Sequence, residues 1–124
     1  MNQFGLARLH SFRHAFRGIH RVFRTQRNAW IHSVIALIAF LAAFWLGLPA
    51  RDWAVIILTA ALVFTAEFLN TAIEAVVDLA SPAQHDLAGA AKDISAAAVL
   101  ITALAAILVG IIILGPPLWN KLSS

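Results

Sequence analysis

Three long apolar runs with short breaks between them constrain this chain more than anything else in it. The first, Trp30 to Leu48, is interrupted only by His32 and Ser33 and is closed by Pro49. A helix rises about 1.5 Å per residue, so residues 30–48 just cross a hydrocarbon core about 30 Å thick. The second, Trp53 to Leu69, continues without a turn signal to Ser81-Pro82, which makes residues 53–80 one helix longer than a bilayer requires. Its last turns are expected to emerge into the interface. The third, Ile94 to Leu114, follows Lys92-Asp93 and is expected to occupy 93–115, with Gly115-Pro116-Pro117 as its stop. Lipid offers no water to unpaired backbone groups, so such runs cross as helices. The composition agrees: 61% of residues are hydrophobic and 12% charged, against roughly 45 to 50% apolar in soluble domains. The expectation is one all-α integral membrane domain over residues 1–124.

Charge sets the expected orientation. Six of the nine basic residues, Arg8, Arg13, Arg17, Arg21, Arg24 and Arg27, precede the first run, and no acid appears before Asp52. Basic flanks are retained on the cytoplasmic side, so the N-terminus is expected inside, with Glu74, Asp78, Asp86, Lys92 and Asp93 on the same side. Within residues 4–28, Phe12, Phe16, Ile19 and Phe23 recur at helical spacing beside Arg13, Arg17, Arg21 and Arg24. That pattern describes an amphipathic interfacial helix. A mitochondrial transit peptide is also basic and acid-poor, but it is serine-rich, and this segment holds only Ser11. The apolar run begins too late for a secretory signal. With no cysteine, disulfides, thiolate chemistry and cysteine metal sites are excluded.

The second run carries a polar stripe. With Glu67 at zero on a wheel of about 100° per residue, Asn70 lies about 60° away, Glu74 about 20°, and Asp78 about 20° to the other side. The residues between them are apolar except Thr71. An ionised carboxylate in hydrocarbon costs about 2.5 to 3.5 kcal/mol, so Glu67 needs a partner, water or a proton. Interhelical hydrogen bonding alone asks for one amide or hydroxyl, worth about 0.6 kcal/mol on average, and seldom for a row of acids.

A second polar knot, Lys92-Asp93, opens the third run, followed by the small residues Ser95, Ala96, Ala97 and Ala98 that let a neighbouring helix approach. Asp93 reads equally as an acid favoured at a helix N-terminus. Lys92, across a short loop from three carboxylates, can pair with them or neutralise a phosphate. Carboxylates for a cation such as Mg²⁺, a lysine for an anion and a deeper carboxylate to accept a proton together make a phosphoryl-transfer constellation. The common phosphate cradles G-x-x-x-x-G-K-[ST] and G-x-G-x-x-G are both missing, so nucleotide would bind in an unusual way. The competing reading is a non-enzymatic membrane protein, a transporter subunit whose Glu67, Asn70 and Glu74 relay protons. Lys92-Asp93 separates the two, because a relay has little use for a surface lysine.

AEFLNTAIEAVVD followed by AAKDISAAAVL, behind an arginine-rich helix and a first span, resembles the prokaryotic diacylglycerol kinase family, which includes undecaprenol kinases. The resemblance runs from about Phe12 to Leu114, and the segment FRHAFRGIHRVFRTQRNAWIH is closer to the undecaprenol-kinase branch. It implies a homotrimeric inner-membrane kinase that moves the ATP γ-phosphate to a lipid alcohol, diacylglycerol or undecaprenol, at sites shared between protomers. Carried over by position, Glu67 is implied as the base and Glu74 as a Mg²⁺ ligand. Asn70 and Asp78 are implied as support, and Lys92 and Asp93 as nucleotide ligands. His85 and His14 are implied near the nucleotide. The family usually has an acid where this chain has Gln26, so Gln26 stands as a second metal ligand without charge. His10 and His14, at i and i+4, lack a third ligand nearby.

Overall fold

The computed structural model describes residues 3–81 and 85–124, with side chains from residue 10 on. Its described residues form four helices: α1 (Gln3–Thr25), α2 (Arg27–Leu46), α3 (Ala50–Ala80) and α4 (Asp86–Ser123). The last three, of 20, 31 and 38 residues, are long and apolar enough to cross a membrane.

The corner between α1 and α2 falls earlier than the expected boundaries of 28 and 30. Gln26 is extended, with φ −108° and ψ 112°, so α1 stops at Thr25 and α2 starts at Arg27. No proline or glycine causes this break. A tertiary tie holds it: Trp30 Nε1 donates to the Phe23 carbonyl at 2.8 Å, satisfying a helix-end acceptor. The two rings also meet edge to face at 5.4 Å, and Phe23 reaches Phe64 of α3 at 6.3 Å. The Gln26 N–H still bonds back to the Val22 carbonyl at 2.7 Å.

At its other end α2 closes in a Schellman motif. Gly47 has φ 66° and ψ 42°, a left-handed conformation that glycine adopts without the penalty of a Cβ. Its N–H bonds the Phe44 carbonyl, the Leu48 N–H bonds the Ala43 carbonyl, each at 3.1 Å, and Pro49 then caps α3. Leu48 buries with Ala43 and Ile56, flanked by Phe40, Trp53, Ile113 and Leu114. Phe40 and Trp53 stack there at 6.1 Å.

The expected bounds 93–115 for the last helix require correction at both ends. It begins at Asp86 because the His85 ring accepts the Leu87 N–H on Nδ1 at 3.2 Å and acts as the N-cap. Lys92 and Asp93 therefore sit two turns inside the helix. It also runs through Gly115-Pro116-Pro117 to Ser123. Proline φ is helical, and what it removes is the N–H to the carbonyls four residues back. Gly115 offers no Cβ to crowd the first ring. Beyond the prolines, Lys121 Nζ donates to the Trp45 carbonyl at 3.0 Å and lies 4.7 Å from the centroid of the Trp45 ring, so this turn is tied to the end of α2.

α3 and α4 share the most extensive interface, and α1 touches α2 and α3 only lightly. Outward faces remain apolar, with Phe44 79%, Leu58 71% and Ile112 70% exposed, as befits surfaces solvated by hydrocarbon. Between the aromatic corner and the Leu48 cluster, α2, α3 and α4 border an open-sided apolar cavity of about 340 Å³ lined by His32, Ala36, Val63, Phe64, Ala103 and Gly110.

Candidate functional site

The stripe on α3 falls into the bundle as a gradient of burial. Glu67 is 1% exposed and Asn70 is 7% exposed. Glu74 is half-buried, and the Asp78 side chain is 66% exposed. One helical face thus carries acids from the protein interior out to the helix end.

Each level meets a different element. Asn70 Nδ2 donates to Glu74 Oε1 at 3.0 Å, and its Oδ1 accepts from Ser95 Oγ of α4 at 2.7 Å. Ser95 Oγ is also 2.9 Å from the Lys92 carbonyl, so its single proton is shared between two acceptors. Gln26 Nε2, from the α1–α2 corner, donates to Glu74 Oε2 at 3.3 Å. Lys92 Nζ pairs with Asp78 Oδ1 at 2.5 Å. The unusual break at Gln26 thereby serves the site, since it delivers a side chain to Glu74 from outside the span.

Glu67 differs from Glu74. Glu74 has one amide donor on each oxygen, whereas both oxygens of Glu67 are buried without a hydrogen-bond partner among the described residues. His32 of α2 places its Nε2 3.9 Å from Glu67 Oε2. Glu74 is thus held by two amide donors, and Glu67 by none among the described residues.

Asn70, Glu74, Asp78, Lys92 and Gln26 are thus linked through hydrogen bonds and Ser95, while Glu67 lies deeper on the same face of α3 and contacts His32 instead. The other expected site residues stand apart from these. His85 spends its ring nitrogen on capping α4, Asp93 is exposed on α4, and His14 is exposed on α1, about three turns before Gln26. Two further residues meet the stripe: Ser95, which the sequence marks only as small, and His32, which it marks only as an interruption of the first run; a lone histidine within a span is the available signal.

Among the described residues no group of three His, Asp or Glu side chains could hold a metal ion. Glu74 with Gln26 nevertheless suits a hard divalent cation that brings its own oxygens, because Mg²⁺ commonly rests on one or two carboxylates plus phosphates and water. Turning the Gln26 carboxamide over would present oxygen in place of nitrogen.

Residues 13–114 match the prokaryotic diacylglycerol kinase family. A protein of Synechocystis sp. named diacylglycerol kinase is 48% identical over 111 residues, 89% of this chain and 63% of its own length. The chain thus spans less than two thirds of that cyanobacterial relative. A Bacillus subtilis protein named undecaprenol kinase is 41% identical over 108 residues, covering 87% of this chain and 88% of its own. An Escherichia coli protein named diacylglycerol kinase is 40% identical over 95 residues, 71% of this chain and 78% of its own.

Proposed function

Because the chain belongs to the prokaryotic diacylglycerol kinase family, we propose that it is a MgATP-dependent lipid kinase of the bacterial inner membrane that phosphorylates a lipid alcohol. The observation that carries this reading is the pairing of one buried, unpartnered carboxylate, Glu67, with a second carboxylate two turns away whose oxygens are held by amide donors. Phosphoryl transfer needs those two kinds of acid, one to take a proton and one to carry a cation.

In this reading the acceptor hydroxyl gives its proton to Glu67 as its oxygen bonds the γ-phosphorus. The bond from that phosphorus to the β,γ-bridging oxygen breaks, and ADP leaves. Glu74 and Gln26 would hold the Mg²⁺ that neutralises charge on the phosphates. Asn70 keeps Glu74 in place and is itself anchored by Ser95. Lys92 exchanges Asp78 for a phosphate oxygen, and Asp93, His85 and His14 contribute to the nucleotide from the rim. The apolar cavity beside His32 accommodates hydrocarbon of the acceptor.

The exposed Phe12 and Phe16, 65% and 68% accessible, support an interfacial α1 lying on the cytoplasmic leaflet, with its arginines toward anionic headgroups. The extensive exposed apolar faces of α2 to α4 are also compatible with a homotrimer in which neighbouring copies complete the nucleotide site. Labelled-phosphate transfer from ATP, with diacylglycerol and undecaprenol offered in competition in mixed micelles, tests the proposal. Phosphorylation of either lipid supports it and identifies the preferred acceptor. Transfer to neither overturns it.

A further inference from the structure

Glu67 presents a problem that its proposed role as base leaves open. A carboxylate with two oxygens can abstract a proton along several directions, and neither oxygen is held by a hydrogen bond among the described residues. Productive proton transfer needs one oxygen aimed at the acceptor within about 2.6 to 3.2 Å. Something has to fix the other.

His32 is placed to do so. Its Nε2 is 3.9 Å from Glu67 Oε2, and the two side chains are 16% and 1% exposed. It comes from a different helix, so it constrains Glu67 from outside α3. The same ring borders the apolar cavity between α2, α3 and α4, beside any hydrocarbon chain lodged there. Glu74, two turns along α3, has its own oxygens held by Asn70 and Gln26 and brings Glu67 no donor. α4, also packed on α3, commits Lys92 to Asp78, three turns beyond Glu67. A contraction of about 1 Å converts this contact into an N–H···O bond, the kind of tightening expected when a substrate enters.

We propose that His32 is the positioning residue of the kinase reaction, donating its Nε2–H to Glu67 Oε2 so that Oε1 faces the acceptor hydroxyl. This rests on the reading of Glu67 as the base.

Three variants of the full chain in mixed micelles test it, with the parent and Glu67→Gln assayed in parallel. His32→Phe keeps the volume and removes the donor; kcat should fall about 10²-fold, the scale of a misplaced catalytic group, while KM for MgATP stays unchanged. His32→Gln returns an N–H near the same point and should recover most of the rate. His32→Gly should regain activity when imidazole is added, and the Gln and Gly arms decide the matter if the Phe variant does not fold. A volume-filling role predicts the reverse order, with Phe near the parent and no response to imidazole, and that result overturns the assignment. A fully active His32→Phe beside an inactive Glu67→Gln removes His32 alone, whereas a parent inert toward lipid alcohols removes both readings.

Discussion

Asn70 is the joint through which the α3 stripe is tied to α4, and its removal has a calculable consequence. The side chain is 7% exposed, donates to Glu74 Oε1 at 3.0 Å and accepts from Ser95 at 2.7 Å. A hydrogen bond to a charged group contributes about 1.5 to 3 kcal/mol, and an interhelical one in a membrane protein about 0.6 kcal/mol on average. Taking the low end for the first, Asn70→Ala should destabilise the fold by about 2 kcal/mol. Ser95→Ala should cost only about 0.6 kcal/mol, because it removes the weaker contact and the hydroxyl already divides its proton with the Lys92 carbonyl. In the Asn70→Ala background Ser95→Ala should then add almost nothing, a coupling of about 0.6 kcal/mol in a double-mutant cycle. Freed from its donor, Glu74 Oε1 loses its orientation, and the Mg²⁺ needed for half-maximal transfer should rise about tenfold, the scale on which supports of metal ligands act. Reversible unfolding in mixed micelles and a metal titration of turnover measure the two effects. A loss below about 0.5 kcal/mol, the range of an ordinary surface substitution, together with an unshifted titration, would refute the reasoning.

Two further outcomes follow from local geometry. Gln26→Glu puts a second carboxylate where an amide now sits 3.3 Å from Glu74 Oε2; it should lower the Mg²⁺ requirement for transfer, and an unchanged titration would take Gln26 out of the metal site. Gly47→Ala meets no atom within 4 Å but forces an L side chain into φ +66°, which should cost about 1 to 2 kcal/mol in unfolding and leave turnover intact, because that corner lies a full span from Glu74.

What the sequence discloses about this chain is what repeats along a single helix. The three spans and the shared face of Glu67, Asn70, Glu74 and Asp78 follow from composition and a period of about 3.6 residues, and along that face the structure buries Glu67 and Asn70, half-buries Glu74 and leaves Asp78 exposed. What depends on the register between helices was not legible. That His32 faces Glu67 is settled by how α2 lies on α3. The break at Gln26 carries no glycine or proline and is fixed by Trp30 reaching back to Phe23. The rotation of α4 turns Lys92 toward Asp78 and leaves Asp93 exposed, although the two are adjacent in sequence. The proline pair misled for a related reason: a helix stop is a local preference, and α4 runs on through both prolines to Ser123.

The most direct test concerns the buried acid itself. Glu67→Gln changes little volume and removes the proton acceptor, so labelled-phosphate transfer to a lipid alcohol should drop by about 10² to 10⁴-fold while the protein remains folded by circular dichroism in the same micelles. Transfer at the parent rate by a folded Glu67→Gln protein would contradict the account, because the proton would then be leaving the acceptor by another route.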